Sequence, residues 1–356
     1  MDVPDRAAAA ASRAYVTVLS SDDYLPGSVI LHDSLVRVGS RYPLYVLVGR
    51  AVSPSVTAAL GSAGIDCLPL PASAGLPEDV RTVNARNDRD HWTRTLEKLS
   101  VFSLAQFAKV VYVDSDMLVV KNIDHLFERP HMSAVAAGVR VPGNEDWVTL
   151  NSGLMVIEPD PEAYARLPEL IPATAHRRLV VEGALGLGDQ DVITEAHPEW
   201  RHTRELRLPD GYNMFTDYLD LHIRQLGVSW SGAEGVHVLH FVGHQKPWMV
   251  STARRLRWCA WALSRHRWYE CLVVAMYSSR LAQVRHRYRH TGLGALLGSR
   301  THARGHLWAS VLARRRTTDD GSRPVRGPVS PVSPSPRRMG GGTPVRRVVR
   351  RSHGRH

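Results

Sequence analysis

Residues 110–120 constrain the fold more than any other part of this sequence. Apolar, β-branched and aromatic residues lead up to Asp114, and a second apolar run begins directly after Asp116. This pattern predicts a buried strand of a parallel sheet, and ligands bind beyond the carboxyl ends of such strands. Two carboxylates there are costly unless a cation joins them, and a divalent metal is the simplest partner. The alternative is a pair of aspartates that caps a turn or the next helix.

Strands and helices alternate along the rest of the chain, which predicts an α/β fold with a mostly parallel sheet covered by helices on both faces. The predicted strands cover residues 14–19, 44–48, 65–68, 110–113, 134–137, 154–157 and 236–242. The predicted helices cover residues 26–38 and 93–107, and three more begin at Pro54, Pro161 and Asp189. On helix 93–107 the apolar residues form one stripe, and Lys98 lies off it.

Charge divides the chain at about residue 250. Up to Val250 there are 22 Lys+Arg and 31 Asp+Glu, whereas from Ser251 onward there are 23 Arg and three acidic residues. We therefore predict a globular domain at residues 13–250 and a basic, tryptophan-containing helical extension at 251–316. Residues 317–356 are rich in Pro, Gly, Ser and Arg without an apolar period, which predicts a disordered basic tail.

The composition favours a cytoplasmic location. Three cysteines form neither a metal-type spacing nor an even set, which is typical of a reducing compartment. The first residues do not resemble a secretory signal, and no stretch of about 18 apolar residues occurs. For the extension we expect packing against the globular domain through buried tryptophans. Peripheral binding to an anionic membrane surface ranks second, and nucleic-acid binding ranks last.

Four motifs occur together and in order, and their combination is far more specific than any one of them. They are Asp114-Ser115-Asp116, Asn151-Ser152-Gly153, Gly188-Asp189-Gln190 and His240-x-x-Gly243-x-x-Lys246-Pro247-Trp248. This combination resembles glycosyltransferase family 8, the glycogenin-like and galactinol-synthase-like retaining enzymes that use nucleotide sugars. The resemblance covers roughly residues 13–250. It implies one Rossmann-like nucleotide-sugar-binding domain of the glycosyltransferase A type.

The resemblance also implies a metal site. Asp114, Asp116 and His240 match the residues that hold Mn²⁺ in the family, and Mg²⁺ is the alternative ion. Carboxylates and an imidazole form a mixed oxygen and nitrogen site that suits Mn²⁺. The metal would neutralise charge on the departing nucleoside diphosphate. For His240 alone, a hydrogen-bonded core histidine at a strand end is the alternative.

Further matches imply contacts with a UDP-sugar. Lys246 matches the lysine that contacts the diphosphate, and Gly243 would let the backbone approach it. Thr17, Leu19 and Tyr24 are similar to the uridine-binding segment, where the tyrosine would stack on the uracil face. A surface lysine and a tyrosine packed at the start of a helix are the alternatives.

Other matches lie around the donor sugar and the reaction centre. They are Lys98, Asn151, Ser152, Asp189 and Gln190. The alternatives are an exposed helix residue for Lys98, a turn at Asn151-Ser152-Gly153 and a helix cap at Gly188-Asp189. Retention of configuration needs either a nucleophile such as Asp189, Gln190 or Asp191, or front-face attack without one, and we favour front-face attack.

The predicted function is a metal-dependent retaining glycosyltransferase that moves a hexosyl group from a UDP-sugar to a hydroxyl acceptor. The alternative is a non-catalytic scaffold that binds surfaces through the basic extension. Glucose, galactose and glucuronic acid all stay open as the donor sugar, as do a glycan, a small molecule or a lipid as the acceptor. Family resemblance leaves a homodimer open.

Two sets of residues bear on these open choices. Tyr212 and Tyr218 lie in the broad region where glycogenin-type proteins glucosylate themselves. The segment around them looks more like that of variants acting on separate acceptors, so we do not assign self-glucosylation. Arg86, Arg89 and Arg94 fall in the expected donor lid, where they would either meet a uronate carboxylate or be solvated.

Overall fold

The computed structural model describes residues 12–71, 77–87, 90–138, 140, 147–243 and 246–298. Every structural statement below refers to these residues. The predicted disordered tail, the end of the predicted extension and Arg89 all lie outside them.

The strands form one large sheet and one small one. The large sheet has the order β3-β2-β1-β4-β7-β6-β8 and the small one the order β5-β10-β9. The strands of the large sheet are β1 (Arg13–Leu19), β2 (Leu44–Val48), β3 (Asp66–Pro69), β4 (Lys109–Val113), β6 (Ala134–Ala136), β7 (Leu150–Ile157) and β8 (Arg207–Leu208). Those of the small sheet are β5 (Met117–Val119), β9 (Met214–Phe215) and β10 (Val238–His240).

The large sheet is mostly parallel, which confirms the predicted fold class. Strands β1, β2, β3 and β4 run parallel in their pairs, as do β6 and β8, whereas β7 is antiparallel to both β4 and β6. Alternate residues of β1 and β4 face opposite cores. Val16 and Val110 pack on one side, and Tyr15 and Val111 on the other. Burial on both faces explains why these strands are continuous apolar runs.

Helices cover both faces of the sheet. They are α1 (Leu25–Arg37), α2 (Pro54–Ser62), α3 (Glu78–Arg86), α4 (Asp90–Thr95), α5 (Pro161–Ala175), α6 (Asp189–Ala196), α7 (Leu219–Arg224), α8 (Thr252–Ser264), α9 (Trp268–Arg287) and α10 (Gly292–Gly298). A π-helical segment (His176–Val181) follows α5. Short 3₁₀ helices cover Asp22–Tyr24, Leu96–Ser103, Asp124–Glu128, Pro198–His202, Arg204–Leu206, Asp210–Tyr212 and Thr216–Tyr218.

The predicted helix at residues 93–107 is wrong in type and in extent. Helix α4 ends at Thr95, and a 3₁₀ helix follows and ends at Ser103. The Ser100 and Ser103 hydroxyls donate to carbonyls three residues earlier, which fits the tighter turn. Apolar residues spaced three apart share one face of a 3₁₀ helix, so the predicted stripe is still buried up to Phe102. Ala105 lies beyond the helix and is exposed.

Two other expectations differ from the structure. The last predicted strand is shorter and covers only Val238–His240. The Asn151-Ser152-Gly153 segment lies inside β7, so the alternative of a turn there is wrong. Its backbone is paired within the sheet, because Gly153 O accepts a hydrogen bond from Asp114 N at 2.8 Å.

The basic extension packs on the globular domain, although two of its tryptophans are exposed. Trp261 and Trp268 are 44% and 55% exposed, so the expected burial of these two side chains is wrong. Helix α9 instead buries Tyr277, which stacks on Trp248 at 5.9 Å, and Arg287 pairs with Asp33 at 2.8 Å. The domain boundary at residue 251 stays a prediction. Within the described residues, no helix has both the length and the apolar character to cross a membrane.

Candidate functional site

Three strands of the fold bring Asp114, Asp116 and His240 together. Asp114 follows β4, Asp116 precedes β5, and His240 is the last residue of β10. Strand β10 pairs with β5 so that His240 lies opposite Met117. One possible ligand atom from each of the three residues lies within 4.8 Å of the others. This geometry fits the metal site predicted from the sequence.

Two buried lysines join these carboxylates. Lys246 Nζ lies 2.5 Å from Asp116 Oδ2 and donates to Phe241 O at 2.9 Å. Lys98 Nζ lies 3.0 Å from Asp114 Oδ1 and 2.9 Å from Asp189 Oδ2. Each lysine is only 5% exposed, so neither is the surface residue of the alternative interpretation.

The two lysines decide how much charge the site retains. Burial opposes ionisation of Asp116 and Asp189, but Lys246 and His240 hold the pKa of Asp116 well below its usual range, and Lys98 lowers that of Asp189. Burial raises the pKa of Asp114 despite Lys98, which it shares with Asp189. The site is thus a buried, charged cluster in which Asp114 is the carboxylate with the least compensation.

A chain of amides fixes the orientation of His240. Asn151 Oδ1 accepts hydrogen bonds from Gly153 N at 2.8 Å and from Asn213 Nδ2 at 2.6 Å. Asn213 Oδ1 must then accept the proton of His240 Nδ1, 2.7 Å away. Because the backbone N–H of Gly153 can only donate, the whole chain has one consistent assignment. The lone pair of a neutral His240 then lies on Nε2, 3.2 Å from Asp116 Oδ1.

The predicted reaction-centre residues surround Asp189. Ser152 Oγ donates to Asp189 Oδ2 at 2.6 Å, and Ser152 N donates to Gln190 Oε1 at 3.3 Å. The helix cap of the alternative interpretation is present, because Gly188 is the N-cap of α6 and its N–H donates to Asp191 Oδ2 at 2.9 Å. Asp189 is the first residue of the helix, and its carboxylate contacts Ser152 and Lys98. Asp191 also pairs with Arg178 at 2.8 Å.

The predicted uridine-binding residues lie at the end of β1 and just beyond it. Pairing between β1 and β4 stops at Val16, while pairing with β2 continues to Leu19. Thr17 is fully buried within the strand, and its Oγ1 has no hydrogen-bond partner in the described part of the chain. Tyr24 is half-buried, with its ring edge-on to Trp248 at 5.8 Å. Tyr24 lies near the metal-ligand candidates, since burial raises the pKa of its hydroxyl and the charges of Asp116 and Asp114 raise it further.

Gly243 has the backbone conformation that its predicted role requires. Its φ of +89° lies in the region that favours glycine, and no atom of the described part of the chain lies within 4 Å of where its Cβ would be. The two residues that follow it lie outside the described residues. The backbone at Gly243 is therefore open to the approach of a ligand.

Sequence reasoning missed three residues that shape the site. Asn213 orients His240, and the Tyr112 hydroxyl donates to Asp114 Oδ1 at 2.6 Å. A Cβ on Gly153 would lie 2.9 Å from Cε1 of His240, so this position must be glycine. The signal for Gly153 was its place in a motif within a strand. Asn213 has no local signal, because its contact depends on the pairing of β9 with β10.

Comparison with known proteins identifies the family that has this fold and this strand-end site. Residues 15–252 match the sequence model of glycosyl transferase family 8. The chain belongs to this family, and the resemblance noted from its motifs is confirmed.

Its relatives include glycogenins and plant glucuronosyltransferases. Glycogenin-1 of Caenorhabditis elegans is 30% identical over 248 residues, which cover 68% of this chain and 52% of the relative. Human glycogenin-1 is 31% identical over 66% of this chain and 62% of its own length. A putative UDP-glucuronate:xylan alpha-glucuronosyltransferase 3 of Arabidopsis thaliana is 28% identical over 68% of this chain and 35% of the relative's own length. The chain thus spans about a third to two thirds of these relatives.

Solved structures with a similar arrangement are more distant in sequence. The galactosyltransferase LgtC in complex with donor and acceptor sugar analogs is 16% identical and covers 72% of this chain and 95% of that one, with a TM-score of 0.45. The glycosyltransferase GlyE of Streptococcus pneumoniae TIGR4 is 19% identical, and the match covers 76% of this chain and 64% of GlyE, with a TM-score of 0.45.

Proposed function

We propose that this protein transfers a hexosyl group from a UDP-sugar to a separate hydroxyl acceptor, with a divalent metal and with retention of configuration. The observation that carries the proposal is the cluster of Asp114, Asp116 and His240, whose ligand atoms lie within 4.8 Å of one another. A scaffold that only bound surfaces would have no physical need for two buried lysines joined to these carboxylates.

The donor set fits Mn²⁺ or Mg²⁺. Asp114 and Asp116 offer hard oxygen ligands, and Asn213 leaves Nε2 of His240 free to act as the third. When bound, the metal would supply positive charge where the nucleoside diphosphate departs.

Other residues would hold the donor. Lys246 makes hydrogen bonds to Asp116 and Phe241 O, so one of its three N–H donors is left for a diphosphate oxygen. The backbone at Gly243 can approach the same group. Thr17 and Leu19 would bind the uracil edge, and Tyr24 would lie against its face.

The sugar would lie beside Lys98, Asn151, Ser152, Asp189 and Gln190. Asp189 is held by Lys98 and Ser152, and these contacts occupy the carboxylate oxygen that an attack on the sugar would need. Asp191 is held by Arg178 and the backbone of Gly188. These contacts favour front-face attack. The acceptor oxygen bonds to the anomeric carbon as the bond to the diphosphate breaks, and the acceptor proton passes to the departing diphosphate oxygen.

Turnover of a panel of UDP-sugars, with Mn²⁺ and with chelator, tests this proposal. We expect release of UDP from at least one donor, and loss of that release when chelator is added. Asp116→Asn should lower the rate by about a thousandfold or more, because the site loses a metal ligand. Asp66→Asn is the matched control, since Asp66 is exposed on the outer strand β3.

Chelator-resistant turnover would contradict the metal assignment. Silence across the panel with folded protein would contradict the UDP-sugar assignment and favour the scaffold alternative.

A further inference from the structure

The outer surface of the α8–α9 hairpin (Thr252–Arg287) carries an unusual number of apolar side chains. Ten large apolar residues are exposed in the described chain, and five of them lie on this hairpin. These five are Leu256 at 66%, Trp261 at 44%, Leu263 at 36%, Trp268 at 55% and Leu272 at 45% exposed. Clustered exposed apolar side chains mark a surface that binds something.

Four of these residues follow helical spacing, so each helix has an exposed apolar stripe, and Trp261 lies off the stripe of α8. On α8, Leu256 and Leu263 are seven residues apart, and on α9, Trp268 and Leu272 are four apart. The opposite face of α9 is apolar as well, but it is buried against the globular domain through Val273, Tyr277, Leu281 and Val284. The inner face explains how the hairpin is held in place, and the outer face has no partner among the described residues.

Arginines far outnumber acidic residues in this part of the chain. Residues 251–298 contain nine arginines and one acidic residue. That residue, Glu270, is 2% exposed and pairs with Arg267. The guanidinium carbons of Arg265 and Arg267 lie 5.7 and 5.1 Å from the ring centre of Trp261. The hairpin therefore combines exposed tryptophan and leucine with an excess of positive charge, although Arg267 and Arg287 are paired with Glu270 and Asp33.

This combination suits an anionic lipid surface better than a second copy of this chain. Tryptophan and leucine enter the boundary between headgroups and acyl chains, while arginines extend to lipid phosphates. The other exposed large apolar residues that the structure describes are four valines and one leucine, without an aromatic residue. A second copy would therefore offer a poor apolar counterpart to the hairpin.

We propose that the outer face of the hairpin binds the surface of a membrane that contains anionic lipids. The hairpin lies in the plane of the interface and does not span the bilayer. This binding is independent of the donor chemistry and would hold in a protein without transferase activity. Since Tyr277 packs on Trp248 and Phe241, next to Lys246, it would also hold the donor site close to the membrane.

Cosedimentation of the full chain with vesicles tests the proposal. One set of vesicles contains phosphatidylcholine alone, and the other contains phosphatidylcholine mixed with phosphatidylglycerol. We expect binding to the anionic vesicles, and a drop of about tenfold or more for Trp268→Ser with Leu272→Ser, which keeps every arginine. The matched control is Val180→Ser with Val181→Ser, which are 69% and 70% exposed elsewhere and should bind as the wild type does.

The test separates the hairpin from the rest of the basic sequence. If the double variant Trp268→Ser/Leu272→Ser is not folded, as judged by the loss of cooperative unfolding, the double variant Leu256→Ser/Leu263→Ser on α8 is used in its place. Equal vesicle binding by the folded variant would overturn the proposal, because binding would then be purely electrostatic. Absence of wild-type binding to anionic vesicles would also overturn it. A dimer lost in the variant, without vesicle binding, would assign the face to a second copy.

Discussion

Two clusters of acidic residues lie in this fold and differ in what balances them. In the proposed donor site (the cluster of Lys98, Asp114, Asp116, Asp189 and Lys246), Asp116 and Asp189 each lie within 3 Å of a buried lysine ammonium. The junction between the globular domain and α9 holds Asp217, Asp220 and Glu270, and Glu270 Oε2 lies 2.5 Å from Arg267 Nη2 there. Burial raises the pKa of Asp217 and raises that of Glu270 to about 8.

The comparison shows that burial alone does not determine charge. Asp116 and Asp189 have lowered pKa values because Lys246 and Lys98 compensate for their desolvation. Glu270 is 2% exposed and receives less compensation, so it holds a proton at neutral pH. A site that stays charged fits the proposed binding of a cation and a diphosphate, whereas the junction cluster takes up a proton and is part of the packing.

The largest expected effect comes from removing a donor-site lysine. Lys246→Met leaves Asp116 buried without its nearest cation, which should lower the free energy of unfolding by about 3–5 kcal/mol without added metal. Lys109→Met is the control, because its partner Glu158 is 54% exposed, and about 1 kcal/mol or less is expected. Urea denaturation measures both. Equal losses of unfolding free energy would show that the Lys246–Asp116 pair contributes no more to stability than the exposed Lys109–Glu158 pair.

A smaller effect is expected from the amide that orients His240. Asn213→Ala should weaken binding of Mn²⁺ by about 10–100-fold, because His240 loses the acceptor that fixes its Nδ1 proton. Asn87→Ala should bind Mn²⁺ as the wild type does, since Asn87 is exposed and bonds only to Val83 O. Calorimetric titration with Mn²⁺ measures the difference. Unchanged affinity in Asn213→Ala would remove this residue from the site.

The contribution of the junction to stability should fall as the pH rises, whereas that of a lysine-paired carboxylate is lost as the pH falls. The pKa of Glu270 rises from 4.5 to about 8 on folding, so between these values the folded protein holds a proton that the unfolded chain has lost. This contribution to stability is complete below pH 4.5, declines as the pH rises and is lost above about pH 8.

Glu270→Gln removes this titration. The fall in unfolding free energy between pH 6 and pH 9 should therefore shrink by about 1–3 kcal/mol in the variant. Denaturant unfolding at both pH values provides the measurement. The same fall in both proteins would mean that Glu270 is already ionised at pH 6.

The sequence predicts elements that depend on local pattern. Strand β2 and the end of β4 follow from continuous apolar runs, and the four motifs identify most residues that meet in the proposed donor site. Long-range contacts are harder to predict. The pairing of Lys98 with Asp189 joins residues 91 positions apart, and no spacing signals it. The exposure of Trp261 and Trp268 depends on which face of the hairpin meets the globular domain, and that face is set by Tyr277 and its neighbours on α9.

The central claim is tested most directly by titrating two proteins with Mn²⁺, each in the absence and in the presence of UDP. They are the wild type and the double variant Asp114→Asn/Asp116→Asn. The account predicts saturable binding of one ion by the wild type, tighter binding in the presence of UDP, and loss of both in the variant. Saturable binding that survives in the folded variant, or no binding by the wild type with UDP present, would contradict the assignment of Asp114, Asp116 and His240 as a metal site.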